Sequence, residues 1–219
     1  MEVKSFTFNP FEENTYVLYD ETAECAIVDP GCYDRAEKTQ LKEFIQSHHL
    51  KPVRLINTHC HIDHVFGIPF VCEEYGLKLE IHKGELIVLK FTDQAGMMFG
   101  TPAEPMPEPG GFLDEVDIVK FGNTELEILF TPGHSPASIC FYEKANKQLI
   151  SGDVLFRDSI GRTDLPGGDY ETLMKSIFNK LLVLDDNVKV YPGHMDTTTI
   201  GEERRKNPFI LEWAGRAVR

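Results

Sequence analysis

The chain has 219 residues, a formal net charge of −13, 42% hydrophobic residues and 26% charged residues. This is enough apolar content for a core in one large domain or two small ones. The acidic balance argues against nucleic acid as a substrate, because phosphate backbones are bound by basic surfaces. No apolar run approaches the roughly 18 residues of a membrane span.

Met1-Glu2-Val3-Lys4-Ser5-Phe6 lacks a basic region followed by an apolar core, so no signal peptide is read and a cytoplasmic location is expected. Cys25, Cys32, Cys60, Cys72 and Cys140 are odd in number and irregular in spacing, with no C-x-x-C. In a cytoplasmic chain they are expected to be free thiols.

In chain order, residues 3–8 alternate loosely, Asn14–Tyr19 is rich in β-formers, and Ala26–Gly31 reads as a buried strand ending in a turn. From about Asp34 to His49 the pattern is helical, with Leu41, Phe44, Ile45 and His48 on one face, and Pro52 stops it. A short buried strand over Val53–Asn57 follows. Val65–Tyr75 reads as a helix closed by Gly76, and Leu77–His82 as a strand. Lys83 to about Met98 reads as one helix, and the Pro/Gly-rich stretch Thr101–Gly111 as a long surface loop. A second β-rich run covers residues 117–121, 125–130, 138–143 and 148–151, with hairpin turns at Gly122-Asn123 and Asn146-Lys147. A helix over Tyr170–Leu184, a strand over Val188–Tyr191 and a helix from about Thr199 close the chain. The two halves share one order of elements, which suggests two sheets packed face to face with helices outside.

The chemistry is concentrated in Thr58-His59-Cys60-His61-Ile62-Asp63-His64. Three imidazoles and a carboxylate in so short a stretch are the donors that a borderline divalent cation takes. His59 and His61 share a face as the preceding strand runs out, and Cys60 points the other way, so burial is its expected fate. A solvated His-rich turn is the plain alternative for this stretch alone. Three later segments have one form, an apolar strand, a glycine and a ligand-type residue: Gly133-His134, Gly152-Asp153 and Gly193-His194. Each alone reads equally well as a turn residue. Together with the opening motif they give seven candidates, His59, His61, Asp63, His64, His134, Asp153 and His194, which suit two adjacent metals better than one. Asp29, at another strand end, is either a turn residue or a support for the site.

The H-x-H-x-D-H stretch with the later His, Asp and His resembles the metallo-β-lactamase fold superfamily. The resemblance implies an α+β fold, a four-layer αββα sandwich of two mixed β-sheets with helices on the outer faces and metals at one end of the sheets. It implies one metal on His59, His61 and His134, a second on Asp63, His64 and His194, Asp153 as the bridge, and Asp29 as a support behind the ligands. Asp153 is similar to the residue of the glyoxalase II branch, where the commonest true β-lactamases carry Cys. The stretches Ser159–Asp169 and Thr199–Phe209 resemble the short bacterial glyoxalase II-like (hydroxyacylglutathione hydrolase-like) subgroup. The full-length hydrolases add a C-terminal helical domain with glutathione-binding residues. The expectation for this chain is a single domain over residues 1–219 without it.

That resemblance implies hydrolysis of an acyl thioester such as S-lactoylglutathione by a metal-bridging hydroxide. Two cations lower the pKa of a bridging water, polarise the carbonyl and stabilise the oxyanion. Asp63 and Asp153 are the expected catalytic carboxylates, and Arg162 and Arg204 the candidates for a substrate carboxylate. Ion pairing with Asp164, Glu202 or Glu203 is the ordinary alternative for those arginines. Zinc is the expected metal, and iron or manganese suits the same donors. The expected partner is a small-molecule thioester, with no nucleic acid and no membrane. The runner-up is a mono-iron persulfide dioxygenase of the same fold, with iron on His59, His134 and Asp153. Pro192-Gly193-His194 and Asp169 favour the hydrolase. A nuclease of this fold is disfavoured by the acidity, and a structural metal module by the size of the ligand set.

Overall fold

Residues 1–216 are described by a computed structural model of the chain. β1 (Glu2–Phe8), β2 (Glu13–Tyr19) and β3 (Glu24–Val28) form an antiparallel meander. α1 (Arg35–Ser47) opens on a capping box in which Asp34 accepts from the Glu37 amide at 2.9 Å and Glu37 reaches back to the Asp34 amide. It buries Leu41 and Ile45. β4 (Lys51–Ile56), α2 (Ile68–Tyr75) and β5 (Leu79–His82) follow, then α3 (Leu86–Lys90), α4 (Thr92–Phe99) and β6 (Gly111–Leu113). β3, β4, β5 and β6 pair in parallel, which completes the first six-stranded sheet.

β7 (Ile118–Phe121), β8 (Thr124–Phe130), β9 (Ile139–Glu143) and β10 (Gln148–Gly152) run antiparallel. A small hairpin of β11 (Leu155–Phe156) and β12 (Ser159–Ile160), then α5 (Tyr170–Ser176), lead to β13 (Lys189–Pro192), which lies parallel to β10. β14 (Thr198–Thr199), α6 (Ile200–Lys206) and α7 (Pro208–Arg216) end the described chain. The second sheet has the order β14-β13-β10-β9-β8-β7.

Strand alternation builds the layers. Tyr16, Leu18, Val28 and Ile56 of the first sheet meet Phe121, Ile128, Phe141 and Ile150 of the second in a core between the sheets. The intervening Val17, Ile27 and Leu55 point outward onto Leu41, Ile45, Ile68 and Val71 of α1 and α2. On the far side Leu149 and Val190 pack on Leu173, Met174, Ile200 and Ile210. The architecture is therefore α+β, an αββα sandwich of two mixed sheets. Strands buried on both faces read as nearly continuous apolar runs, as these do.

Several elements differ from the sequence reading, among them the unexpected short strands β11, β12 and β14 and the division of the closing helix into α6 and α7 at Asn207. The helix expected over residues 83–98 is broken: Lys83–Glu85 is a tight 3-10 turn capped by His82, and Phe91, at φ −88 and ψ 0, separates α3 from α4. The helix expected over residues 170–184 loosens into a π turn at Ile177–Leu181. The Pro-rich loop ends in β6, whose three residues complete the sheet edge and are too few to show alternation. Among the described residues, no helix is long and apolar enough to cross a membrane.

Phe141 is fully buried between the sheets. Phe141→Ala leaves a cavity there and is expected to cost about 3–5 kcal/mol, read as a lowered urea midpoint at unchanged m-value.

Candidate metal centre

The ends of four strands supply the donors. The segment after β4 carries His59 and His61, and a 3-10 turn at Ile62–His64 carries Asp63 and His64. His134 lies between β8 and β9, Asp153 follows β10, and His194 follows β13. Because β4 lies in one sheet and β8, β10 and β13 in the other, the site spans the sandwich edge. Three groups have their donor atoms within 4.8 Å of one another: His59/His61/His134, Asp63/His64/His194 and, behind them, Asp29/His59/His64. Asp153 lies between the first two: Oδ1 is 3.4 Å from His64 Nε2, and Oδ2 is 3.4 Å from His134 Nε2 and 3.5 Å from His194 Nε2. All seven residues proposed from the sequence thus converge. A Cβ on Gly193 would stand 2.1 Å from Asp153 Oδ1 and 2.7 Å from His64 Cε1, so only glycine lets the chain pass this close.

The rings are held from outside. His134 Nδ1 donates to the Arg162 carbonyl at 2.8 Å, and His194 Nδ1 to the Glu12 carbonyl at 3.2 Å. His64 Nδ1 is 3.2 Å from Asp29 Oδ2. Each contact leaves Nε2 facing inward. His61 instead turns Nδ1 inward, 2.8 Å from His134 Nε2. Asp29 accepts from the amide and hydroxyl of Thr58, both at 2.6 Å, and holds a left-handed backbone at φ 48. That conformation is costly for a residue other than glycine, and the Thr58 bonds fix it.

The donor set fits a divalent cation. His59 Nε2, His64 Nε2 and Asp153 Oδ1 are buried without a hydrogen-bond partner. Groups so placed are normally satisfied, and three at the focus of a His/Asp cluster are what a cation would complete.

Several residues here carried no sequence signal. Glu13 is fully buried, accepts from Thr15 Oγ1 at 2.9 Å and stands 3.8 Å from His64 Nδ1. Burial holds its carboxyl well above the usual range, with His64 opposing. Asn57 donates to the His64 carbonyl at 2.8 Å. Cys60 is buried among apolar side chains, and all five cysteines are free. The Arg162 side chain is exposed and paired with Asp164 at 2.7 Å, while its carbonyl touches His134. The Arg204 guanidinium donates to the carbonyls of Leu182 and Leu184 at 2.6 and 3.0 Å and pairs with Asp186.

The first two groups have opposite proton affinities. Burial, then His134, lowers His61 to about 3; burial also lowers His59 and His134. Burial opposes charge on His194, but hydrogen bonds to Asp153 and Asp63 raise it to about 10. Burial likewise opposes charge on His64, and Asp153 and Asp63 outweigh it. In the metal-free protein the unfolded chain takes up a proton at a His61-type imidazole below about 6.5 that the folded chain refuses, so this group costs stability as pH falls from there toward about 3. His194 acts in the opposite sense: its contribution is full below about 6.5 and is lost as pH rises through about 10. Zinc binding at pH 7 is therefore expected to release protons from the Asp63/His64/His194 side. Calorimetry in buffers of different ionisation enthalpy measures the release, and His194→Gln should lower it by about one proton.

Comparison with known proteins agrees with this geometry. The family profile of the metallo-beta-lactamase superfamily matches residues 8–194. The hydroxyacylglutathione hydrolase GloC of Haemophilus influenzae is 36% identical over 213 residues, covering 96% of this chain and 98% of that protein. The crystal structure of BLEG-1 B3 metallo-beta-lactamase superposes with a TM-score of 0.88 at 34% identity, covering 95% of this chain and 99% of that one. TTHA1623, solved in a di-iron-bound form, gives a TM-score of 0.85 at 36% identity, covering 94% of this chain and 100% of that one. With its sandwich fold, its His/Asp cluster at the sheet ends and a family match over most of its length, the chain belongs to the metallo-beta-lactamase superfamily.

Proposed function

We propose that the chain is a binuclear metal-dependent hydrolase of acyl thioesters, of which S-lactoylglutathione is the representative substrate. The observation that carries the reading is the Asp153 carboxylate, with one oxygen toward His64 and the other toward His134 and His194. A carboxylate between two complete donor triads suits a bridge between two ions, His59/His61/His134 holding one and Asp63/His64/His194 the other. The hydrolase name of the Haemophilus relative supports the thioester class. Zinc is the proposed occupant, and the di-iron form of TTHA1623 makes iron the first alternative.

When bound, the ions supply a water of lowered pKa and an electrophile for the thioester carbonyl. The residues do the rest. Asp63, 3.1 Å from His194 Nε2, is the carboxylate placed to orient the attacking water and take its proton. Asp29, through His64, and the Arg162 carbonyl, through His134, fix ring orientation. The exposed Arg162 guanidinium, on the segment beside His134, is the proposed contact for a substrate carboxylate. Arg204 is engaged with the Leu182 and Leu184 carbonyls of the turn before β13 and with Asp186, which favours a structural role. A single iron on His59, His134 and Asp153 would leave the Asp63/His64/His194 triad without a task, and the hydrolase is preferred for that reason.

Zinc-reconstituted protein should release thiol from S-lactoylglutathione and lose that activity on chelation. Asp63→Asn, which removes a proposed ligand as well as the carboxylate that orients the water, should lower kcat at least about 100-fold even with zinc supplied in excess. Thiol release from no short-chain acyl thioester by fully loaded protein overturns the reading. Turnover of a β-lactam instead, or oxygen uptake with glutathione persulfide, would redirect it.

A further inference from the structure

The 3-10 turn Lys83–Glu85 follows β5, the neighbour of β4, so it lies beside the segment that carries His59 and His61. Glu85 at its end is fully buried. Its Oε2 accepts from the Cys60 amide at 2.9 Å and its Oε1 from the Ala137 amide at 2.8 Å. The Ser135 hydroxyl lies 2.7 and 2.8 Å from the two oxygens. No cation is among these partners. A buried carboxylate without a counter-ion is costly, and burial indeed raises its pKa against all three hydrogen bonds.

The sequence positions of those partners give the carboxylate a purpose. Cys60 lies between His59 and His61, and Ser135 follows His134. One side chain thus grips the backbone of both segments that carry the first triad. The grip is close: a Cβ on Gly84 would stand 2.5 Å from the Ala137 Cβ. Glu85 does not reach the second triad, where Asp29 stands behind His64 and the Glu12 carbonyl behind His194; Asp29 also holds Thr58, whose hydroxyl is 3.1 Å from His59 Nδ1, so it serves both triads. The Thr58 carbonyl also accepts from Ile139 at 2.9 Å, but that bond joins the two sheets at the start of β9, beyond the loop that holds His134.

We infer that Glu85 is a positioning residue for the His59/His61/His134 triad, holding its two backbone segments at the spacing a metal requires. The inference rests on the reading that this triad holds an ion. It predicts that one half of the site can be weakened without the other.

The test is metal affinity, site by site, in wild type, E85Q, E85A, S135A and D29N. Zinc is titrated against a chromophoric chelator, and cadmium-113 resonances distinguish a three-imidazole site from one with its own carboxylate. In E85Q and E85A the three-imidazole site should weaken about tenfold or more while the other changes by less than about twofold. S135A, which keeps both amide bonds, should fall between, and D29N, whose carboxylate touches both His64 and the Thr58 beside His59, should weaken both sites. Equal weakening of both sites in E85Q and E85A overturns the inference. So does a lowered melting temperature of the metal-free variants with unchanged affinities, which is the mark of a merely structural residue. If E85A fails to fold, the near-isosteric E85Q and S135A decide the matter. A wild-type chain that binds a single equivalent sinks the two-ion reading alone. Weakening of that equivalent in E85Q then supports the role of Glu85, and no change overturns it.

Discussion

Bringing five imidazoles and two carboxylates to one desolvated point is the constraint on which the rest of this structure depends. Lone pairs that face one another repel, and each group has given up water to get there. Histidine can meet this demand because its two nitrogens are separable: one is anchored to the fold while the other is aimed. Arg162 O, Glu12 O and Asp29 serve as anchors, and each sits in a different connecting segment. Protein interiors are close-packed and deform little, so anchors of this kind fix ring direction more firmly than the rings could fix one another. The separation of proton affinities between the two triads has the same origin. Asp153 and Asp63 lie against His64 and His194, whereas His61 faces chiefly other imidazoles.

The parts of the fold with strong periodicity were legible in the sequence. Stretches such as Ala26–Val28 and Leu149–Ile150 are apolar throughout because sheet and helix layers cover both faces, and the helix over residues 35–47 shows its stripe plainly. The convergence of donors was legible too, because the pattern of apolar strand, glycine and ligand-type residue recurs three times. What could not be read is what depends on distant partners. β6 exists only as an addition to β5, and the helix break at Phe91 leaves no proline or glycine at the break itself. Glu13 and Glu85 look like any surface acid in the sequence. Only the tertiary structure brings Thr15 and His64 to one and Cys60, Ser135 and Ala137 to the other.

The sheets are also joined directly at the site. Tyr16 on β2 donates its buried hydroxyl to the Pro192 carbonyl at 2.6 Å, and Asn14 donates to the carbonyls of Pro192 and Met195 at 3.1 and 2.9 Å. These bonds place the turn that bears His194 against the first sheet. The turn that bears His194 is thus located by contacts more than 170 residues away in sequence, 176 for Tyr16 and 178 for Asn14.

That separation has a bearing on how the protein is made. The first four donors, residues 59–64, are synthesised long before His134, Asp153 and His194. A nascent chain carries them on a half-sandwich whose inner apolar face has no partner. Among the described residues, the first half alone offers only Asp29, His59 and His64 as a close group, while the two triads flanking Asp153 wait for the second sheet: one lacks His134 and the other His194. Any ion held by either triad would therefore bind after sheet docking. The division of those donors between two sheets ties completion of the site to completion of the fold.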